Sequence, residues 1–343
     1  MKKLLAVLLA ALMLFSLAAC GGNTDADSTT VETTDASETT SAEIPEGKVF
    51  NVGICQLVQH EALDAATKGF QEKLTEMLGE EHVKFDVQNA SGDSNTCSTI
   101  ANQFVASKVD LIMANATPAL QAAISATAEI PIVGTSVTDY ATALDIDLDS
   151  WTGKTGINAT GASDLAPLDQ QAEMILALVP DAKTVGILYC SGEANSKYQV
   201  NVVKEYLEGK NIEVKEYSFA DSNDIAAVVT KAVGECQALY IPTDNKAADN
   251  TEVINNIAEP AGIPIIAGEE GICKGCGIAT LSISYYDIGV AAAVQAYEIL
   301  VNGADPAEMD ITFSKTFTKK YVKDRADALK IEIPEDYEAI VIE

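Results

Sequence analysis

Val49-Phe50-Asn51-Val52-Gly53-Ile54-Cys55 is an apolar, β-branched run, and Thr184-Val185-Gly186-Ile187-Leu188-Tyr189-Cys190 repeats it in the second half of the chain. A helical pattern follows each run, Glu61 to Leu78 after the first and Asn195 to Leu207 after the second. The later elements match in the same order. Val83-Lys84-Phe85-Asp86-Val87 pairs with Ile212-Glu213-Val214-Lys215-Glu216, and Asp110-Leu111-Ile112-Met113 pairs with Ala238-Leu239-Tyr240-Ile241. Ile130-Pro131-Ile132-Val133 pairs with Ile263-Pro264-Ile265-Ile266. Short apolar strands alternating with helical patterns give βαβ units and parallel sheets covered by helices. Two such halves in tandem predict an α/β protein of two similar Rossmann-like lobes with a cleft between them.

A further repeat marks where the chain passes between lobes. Gly156-Ile157-Asn158-Ala159-Thr160-Gly161-Ala162-Ser163-Asp164 closes the first half and leads into a helix expected from Leu165 to Leu178. Gly277-Ile278-Ala279-Thr280-Leu281-Ser282-Ile283-Ser284-Tyr285-Tyr286-Asp287 closes the second and leads into a helix from Ile288 to Val301. Small residues there can absorb a hinge rotation, and a third crossing is expected near 308–316. On this reading residues 48–157 plus about 286–310 form lobe 1, and 158–285 plus about 311–343 form lobe 2.

Residues 1–19 have the form of a secretory signal: Lys2 and Lys3, an apolar run from Leu4 to Leu17, then Leu17-Ala18-Ala19-Cys20. The run is short of the roughly 20 residues of a membrane span. It resembles a bacterial lipobox, which implies cleavage before Cys20 and lipidation of that cysteine. Residues 20–47 are Thr, Ser, Asp, Glu and Ala with no Lys or Arg before Lys48, a composition expected to stay disordered as an acidic spacer. The expected location is therefore extracytoplasmic, lipid-anchored to the cell membrane, and the spacer length suits a Gram-positive surface. The chain carries 51 acidic against 22 basic residues, a net charge of −29, which repels a phosphate backbone and argues against a nucleic-acid partner.

In open α/β sheets a ligand lies beyond the carboxyl ends of the strands. Those ends are polar here: Gln56, Gln59 and His60 in one loop, Asn115-Ala116-Thr117-Pro118 in the next, then Gly134-Thr135-Ser136-Val137-Thr138-Asp139-Tyr140. The second half supplies Ser191-Gly192-Glu193-Ala194-Asn195-Ser196, Pro242-Thr243-Asp244-Asn245 and Gly268-Glu269-Glu270. Thr117 suits an N-cap and Pro118 the first helical position, so a helix is expected to begin there, and its free N–H groups bind an anion without a basic side chain. Asp139, Asp164, Asp244 and Glu269 supply negative charge with few cations beside them. A site of this kind suits a zwitterion, its carboxylate at the Thr117 helix start and its ammonium at Asp244 or Glu269. It suits a phosphate poorly. Tyr140, Tyr189, Tyr198, Tyr285 and Tyr286 are within reach of these loops; one or two could stack on an aromatic ligand, and most are expected in the core.

These loops, taken with the paired lobes and the lipobox, resemble ABC-transporter substrate-binding lipoproteins of the periplasmic-binding-protein type I fold, tryptophan/tyrosine-type. The resemblance covers roughly residues 48–343 and rests on Gln59 to Asp64, Thr117-Pro118-Ala119, Val137-Thr138-Asp139, Thr160 to Asp164, Glu193 to Ser196, Pro242 to Asn245 and Gly268 to Gly271. It implies ligand contacts from Gln59, His60, Thr117, Thr138, Asp139, Asp164, Glu193, Asn195, Ser196, Thr243, Asp244 and Glu269. It further implies an aromatic L-amino acid as ligand, an ABC permease and its ATPase as partners, a monomeric receptor and no cofactor. Where relatives usually continue with proline after Val137-Thr138-Asp139, this chain has Tyr140. A surface adhesin, a sensory receptor, or a binding protein for another small polar solute could use the same fold.

Beyond Cys20 there are six cysteines. Cys55 and Cys190 end equivalent strands and read as small buried hydrophobes. Cys273-Lys274-Gly275-Cys276 could be a short-loop disulfide, a redox pair or half a zinc site. With no second Cys-x-x-Cys and no nearby histidine, zinc lacks its four ligands, and a local disulfide between Cys273 and Cys276 is expected. No catalytic residue and no metal site is expected. Only His60 and His82 are present, and neither a Gly-x-Ser-x-Gly elbow nor a Gly-x-Gly-x-x-Gly turn accompanies them.

Overall fold

A computed structural model describes residues 44–342. The expected signal sequence, the expected lipidation site at Cys20 and residues 20–43 of the expected spacer lie outside the described residues. Residues 44–47, assigned to the spacer, already belong to the domain: Ile44 packs against the core, and Lys48 N–H donates to the Pro45 carbonyl.

The first half runs β1 (Phe50–Gln56), α1 (Glu61–Leu78), β2 (Val83–Asn89), α2 (Ser94–Ser107), β3 (Leu111–Asn115), α3 (Thr117–Ala126), β4 (Ile132–Val137), the short α4 (Tyr140–Ala143), β5 (Ala159–Ser163) and α5 (Leu168–Leu178). The second repeats the order with β6 (Thr184–Cys190), α6 (Ala194–Gly209), β7 (Glu213–Phe219), α7 (Ser222–Glu235), β8 (Ala238–Ile241), α8 (Asn245–Ala248), α9 (Thr251–Ala261), β9 (Ile265–Ala267), α10 (Glu270–Cys276), β10 (Ala279–Ser282) and α11 (Tyr285–Leu300). A tail of β11 (Thr312–Phe313), β12 (Thr318–Tyr321), α12 (Lys323–Leu329) and β13 (Glu338–Ala339) completes the chain.

Among the described residues these strands form two sheets, ordered β11-β5-β4-β3-β1-β2 and β13-β12-β10-β9-β8-β6-β7. Every pairing within the first sheet is parallel, and the second departs from this only where β12 runs antiparallel to β10. The near-continuous burial of β1, β3, β4, β6 and β8 is what a sheet covered on both faces requires. In both sheets the strand order reverses at the first strand of the half, β1 or β6, which places a crevice at its carboxyl end.

The sheet pairings move the lobe boundary. β5 pairs with β4, and β11 pairs with β5, so residues 159–163 and 312–313 belong to lobe 1 rather than lobe 2. The chain crosses at 164–167, 283–284 and 314–317. The reason is backbone hydrogen bonding: β5 completes its ladder on β4 before the chain turns. Pro167 then delays the helix start from the expected Leu165 to Leu168, while Ser284 caps α11 early, three residues before Ile288. After each crossing the helix packs on the opposite lobe, α5 against α6 and α11 against α1.

The α1–α11 contact is backbone to backbone. A Cβ on Gly289 would lie 2.0 Å from the Ala66 carbonyl oxygen, and one on Gly69 would lie 2.2 Å from that of Tyr286. Gly289→Ala should therefore force the helices apart and cost about 1–3 kcal/mol, read as a lowered midpoint in denaturant. An unchanged midpoint would show that the helices separate freely.

Candidate functional site

The carboxyl ends of β1, β3 and β4 face those of β6, β8 and β9, and the two lobes are shut on each other. Thr138 Oγ1 lies 3.2 Å from Thr243 Oγ1. His60 Nε2 lies 3.3 Å from Asn245 Oδ1, and Lys246 Nζ donates to the Gly92 carbonyl at 3.2 Å. Glu61 and Lys274 form an ion pair at the rim. The space enclosed by His60, Leu63, Ser136, Asp164, Asn195, Thr243, Asp244, Asn245, Ala248, Glu269 and Tyr285 is about 10 Å³, scarcely room for one water. A larger cavity of about 660 Å³ flanks it on the hinge side and shares Glu269 and Tyr285.

Much of the acid in this cleft holds protein, not open space. Asp244 caps α8, accepting from Ala247 N–H at 2.8 Å on Oδ1, and from Cys190 N–H at 2.6 Å and Ser196 Oγ at 2.7 Å on Oδ2. Glu269 caps α10 by accepting from Gly271 and Ile272 N–H. Glu193 accepts from Asn195 Nδ2, from Asn245 through both its backbone N–H and its Nδ2, and from Lys246 N–H. Arg325 closes the far end of α10, its guanidinium donating to the carbonyls of Cys273, Lys274, Gly275 and Gly277. Asp139 caps α4 through Thr142 N–H at 2.7 Å and does not line the enclosed space.

Asp164 differs. It is buried at the first crossing, where Oδ2 accepts from Tyr285 OH at 2.8 Å, a bond joining two hinge segments; Oδ1 makes no hydrogen bond of good geometry, and burial raises the carboxyl while the Tyr285 and Thr138 hydroxyls act to hold it down. Thr117 Oγ1, Ser136 Oγ and Asn195 Oδ1 are likewise buried without a partner. Backbone strain gathers at the same edge: Ala116 has φ +88° and Ser136 φ +55°, at the ends of β3 and β4. Thr117 is the first residue of α3, whose N-cap, Ala116, offers no side-chain bond.

Of the remaining expected residues, Gln59 is exposed on the β1–α1 loop. Burial holds the His60 imidazole below its ordinary value, so the neutral ring faces Asn245. Gln199 and Ser136 were not singled out from sequence. Gln199 pins Thr243 twice, Nε2 to Oγ1 at 2.6 Å and Oε1 from N–H at 3.0 Å, yet it looks like any glutamine in an amphipathic helix. Among the tyrosines only Tyr285 lines the enclosed space. Tyr140 is buried over β4 and β5, where a Cβ on Gly161 would lie 2.1 Å from its hydroxyl. Tyr189 bonds Glu216 and Tyr286 bonds Glu72.

The disulfide expected in the Cys-x-x-Cys is absent. Cys273 and Cys276 are free, buried thiols on α10, with Cys276 Sγ donating to the Ile272 carbonyl at 3.4 Å. The motif forms a helix packed into the lobe 2 core, not an exposed loop. Among the described residues no group of three or more His, Cys, Asp or Glu is placed to hold a metal ion.

Burial pushes Glu269 up from 4.5 to about 7, against its two N–H bonds, and raises Asp244, with Glu193 adding to the effect. Between pH 4.5 and 7 the folded state then binds the Glu269 proton more tightly than the unfolded chain, so this group's contribution to stability falls as pH rises. The melting temperature of the wild type should decline relative to Glu269→Gln across that window at fixed ionic strength. Parallel curves would mean that Glu269 ionises as if in water.

A model of the ABC transporter substrate binding protein family matches residues 51–340. A tyrosine-binding protein from Clostridioides difficile (strain R20291) is 37% identical over 267 residues, 77% of this chain and 76% of that protein. The structure of an ABC domain in complex with L-Trp from Streptococcus pneumonia superposes with a TM-score of 0.81 at 33% identity, covering 86% of this chain and all of that one. The ligand-free, open structure of a substrate-binding protein with adhesive properties from Clostridium difficile gives 0.64 at 35% identity, over 85% and 99%. The lower likeness to the open, ligand-free structure agrees with the shut cleft seen here. The two βαβ lobes, the crossed helices and the family match over residues 51–340 place this chain in the ABC transporter substrate-binding family, with the periplasmic-binding-protein type I fold.

Proposed function

We propose that this chain is the extracytoplasmic receptor of an ABC importer, tethered through a lipid on Cys20, and that it captures an aromatic L-amino acid between its lobes. The observation that carries the ligand class is a set of buried groups left without partners: Ser136 Oγ, Asp164 Oδ1 and Asn195 Oδ1 line the shut cleft, and Thr117 Oγ1 lies at the start of α3. Each orphan costs about 1–3 kcal/mol when desolvated, so a polar molecule that satisfies several of them at once stabilises the shut state. The set combines hydroxyl donors beside a helix start with a carboxylate and an amide oxygen, which matches an α-carboxylate and an α-ammonium. The named relatives, one a tyrosine-binding protein and one a complex with L-Trp, supply the aromatic side chain.

Roles follow from which groups are free. Thr117, Ser136 and the first turn of α3 take the carboxylate. Asp164 Oδ1 takes the ammonium, in place of Asp244 and Glu269, whose oxygens already cap helices. Leu63, Ala248 and Tyr285 offer the ring its apolar walls. The enclosed space of about 10 Å³ is too small for an amino acid as it stands, so the ligand binds an open form and the lobes close onto it less completely than here, a population shift driven by contacts made only on closure. Asp139, Glu193, Ser196, Thr243 and Asp244 position the walls and do not meet the ligand in this assignment.

Titration calorimetry should detect tryptophan, tyrosine or phenylalanine and give no heat with ribose; silence of all three at millimolar concentration removes the ligand class. Asp164→Asn should weaken that binding about 10- to 100-fold, the loss of one charge-assisted hydrogen bond. Wild-type affinity in that variant refutes the ammonium assignment. The adhesive property named for the Clostridium difficile relative favours a second role at a surface, and equal attachment of cells with and without the chain would remove it.

A further inference from the structure

Lobe 1 buries two thiols against each other. Gly53 and Cys55 lie on the face of β1 that α2 covers, for a Cβ on Gly53 would sit 2.6 Å from the Phe104 ring of that helix. One step along the strand from Gly53 is Cys55. Two turns back along α2 from Phe104, in its first turn, is Cys97. Both are wholly buried in the same apolar cluster, with Leu57, Ile100 and Ala114. Each thiol perturbs the other, Cys97 raising the Cys55 thiol and Cys55 holding Cys97 below the ordinary thiol value.

The duplicated half provides an internal comparison. Cys190 ends β6 as Cys55 nearly ends β1, but the fourth residue of α7 is Ile225 where the fourth residue of α2 is Cys97. Ile225 is as fully buried as Cys97, and Cys190 Sγ donates to the Ala220 carbonyl at 3.8 Å. The architecture therefore accepts a plain hydrocarbon at this position, so the second thiol of lobe 1 is not a packing requirement.

We propose that Cys55 and Cys97 are a disulfide-forming pair, oxidised when the chain folds in the presence of a small-molecule disulfide. The Cys97 thiolate attacks one sulfur of the small disulfide, forming a mixed disulfide and expelling one thiolate. Cys55, deprotonated, then attacks the Cys97 sulfur, forming the intramolecular S–S bond and expelling the second thiolate. The two expelled thiolates take up the two protons that the cysteines lose. Two protein thiols are oxidised and one small disulfide is reduced to two thiols. The link ties the end of β1 to the first turn of α2. It thereby holds the intervening turn whose Gly92 carbonyl receives Lys246 from lobe 2.

The test is refolding of the full chain from denaturant, once with reduced and oxidised glutathione and once with dithiothreitol, followed by alkylation, peptide mapping and thermal melting. The glutathione sample should yield a linked peptide pair containing Cys55 and Cys97 and melt several degrees above the dithiothreitol sample. Cys97→Ile, the residue of the second half, should fold and melt alike under both conditions, while Cys190→Ser should keep the link. Alkylation of both cysteines in the glutathione sample, or a dominant link between any other pair, would overturn the proposal. The wild-type map decides the matter even if a variant fails to fold.

Discussion

Two largely parallel sheets facing each other through the carboxyl ends of their strands impose the constraint on which the rest of this structure depends: strand ends carry polar backbone, and shutting the lobes takes water away from it. Each buried donor or acceptor then needs a partner from the protein or from a guest. Most of the cleft solves the problem internally. Asp244, Glu269 and Glu193 spend their oxygens on the N–H groups that open α8 and α10, and Gln199 holds Thr243. The unsolved remainder lies on α3, β4, the first crossing and α6, and the proposed ligand is the guest that would satisfy it.

In the proposed assignment, motion and recognition share a residue. Asp164 stands where the chain leaves lobe 1, and its bond to Tyr285 joins the first crossing to the second. A charge bound at its free oxygen is thus felt at the hinge itself. The helices that follow the crossings exchange lobes, α5 to α6 and α11 to α1, so each lobe is completed by chain arriving from the other. Gly69 and Gly289 let α11 seat on α1 with no side chain between their backbones. The lobes can then move as bodies while the flexing is confined to short linking segments.

Much of the fold was legible along the chain. The repeated apolar runs marked the strands β1 to β4 and β6 to β9, because burial on both faces leaves little choice but branched hydrocarbons. The crossings were visible too, although the first was placed six residues early, since a strand of small residues such as Ala159 to Ser163 carries almost no apolar signal. The site was half legible. Asp244 and Glu269 stood at the expected strand ends, but an acid that caps a helix and an acid that awaits a ligand have the same local sequence. Tyr140 read as a wall of the pocket because it follows the strand. It turned inward because Gly134 and Gly161 leave a trough over β4 and β5 that a phenol fills. The Cys-x-x-Cys read as a loop staple, whereas a helix capped by Arg325 folds both thiols into the core.

By itself, then, the sequence determined two parallel α/β lobes and the strand ends from which a site would be drawn, since hydrophobic periodicity depends only on neighbours along the chain. Tertiary structure alone decided which acids are free: an oxygen's availability depends on the donors that distant segments bring to it, and Asp164 keeps one oxygen unpartnered only because Tyr285, from another crossing, satisfies just the other.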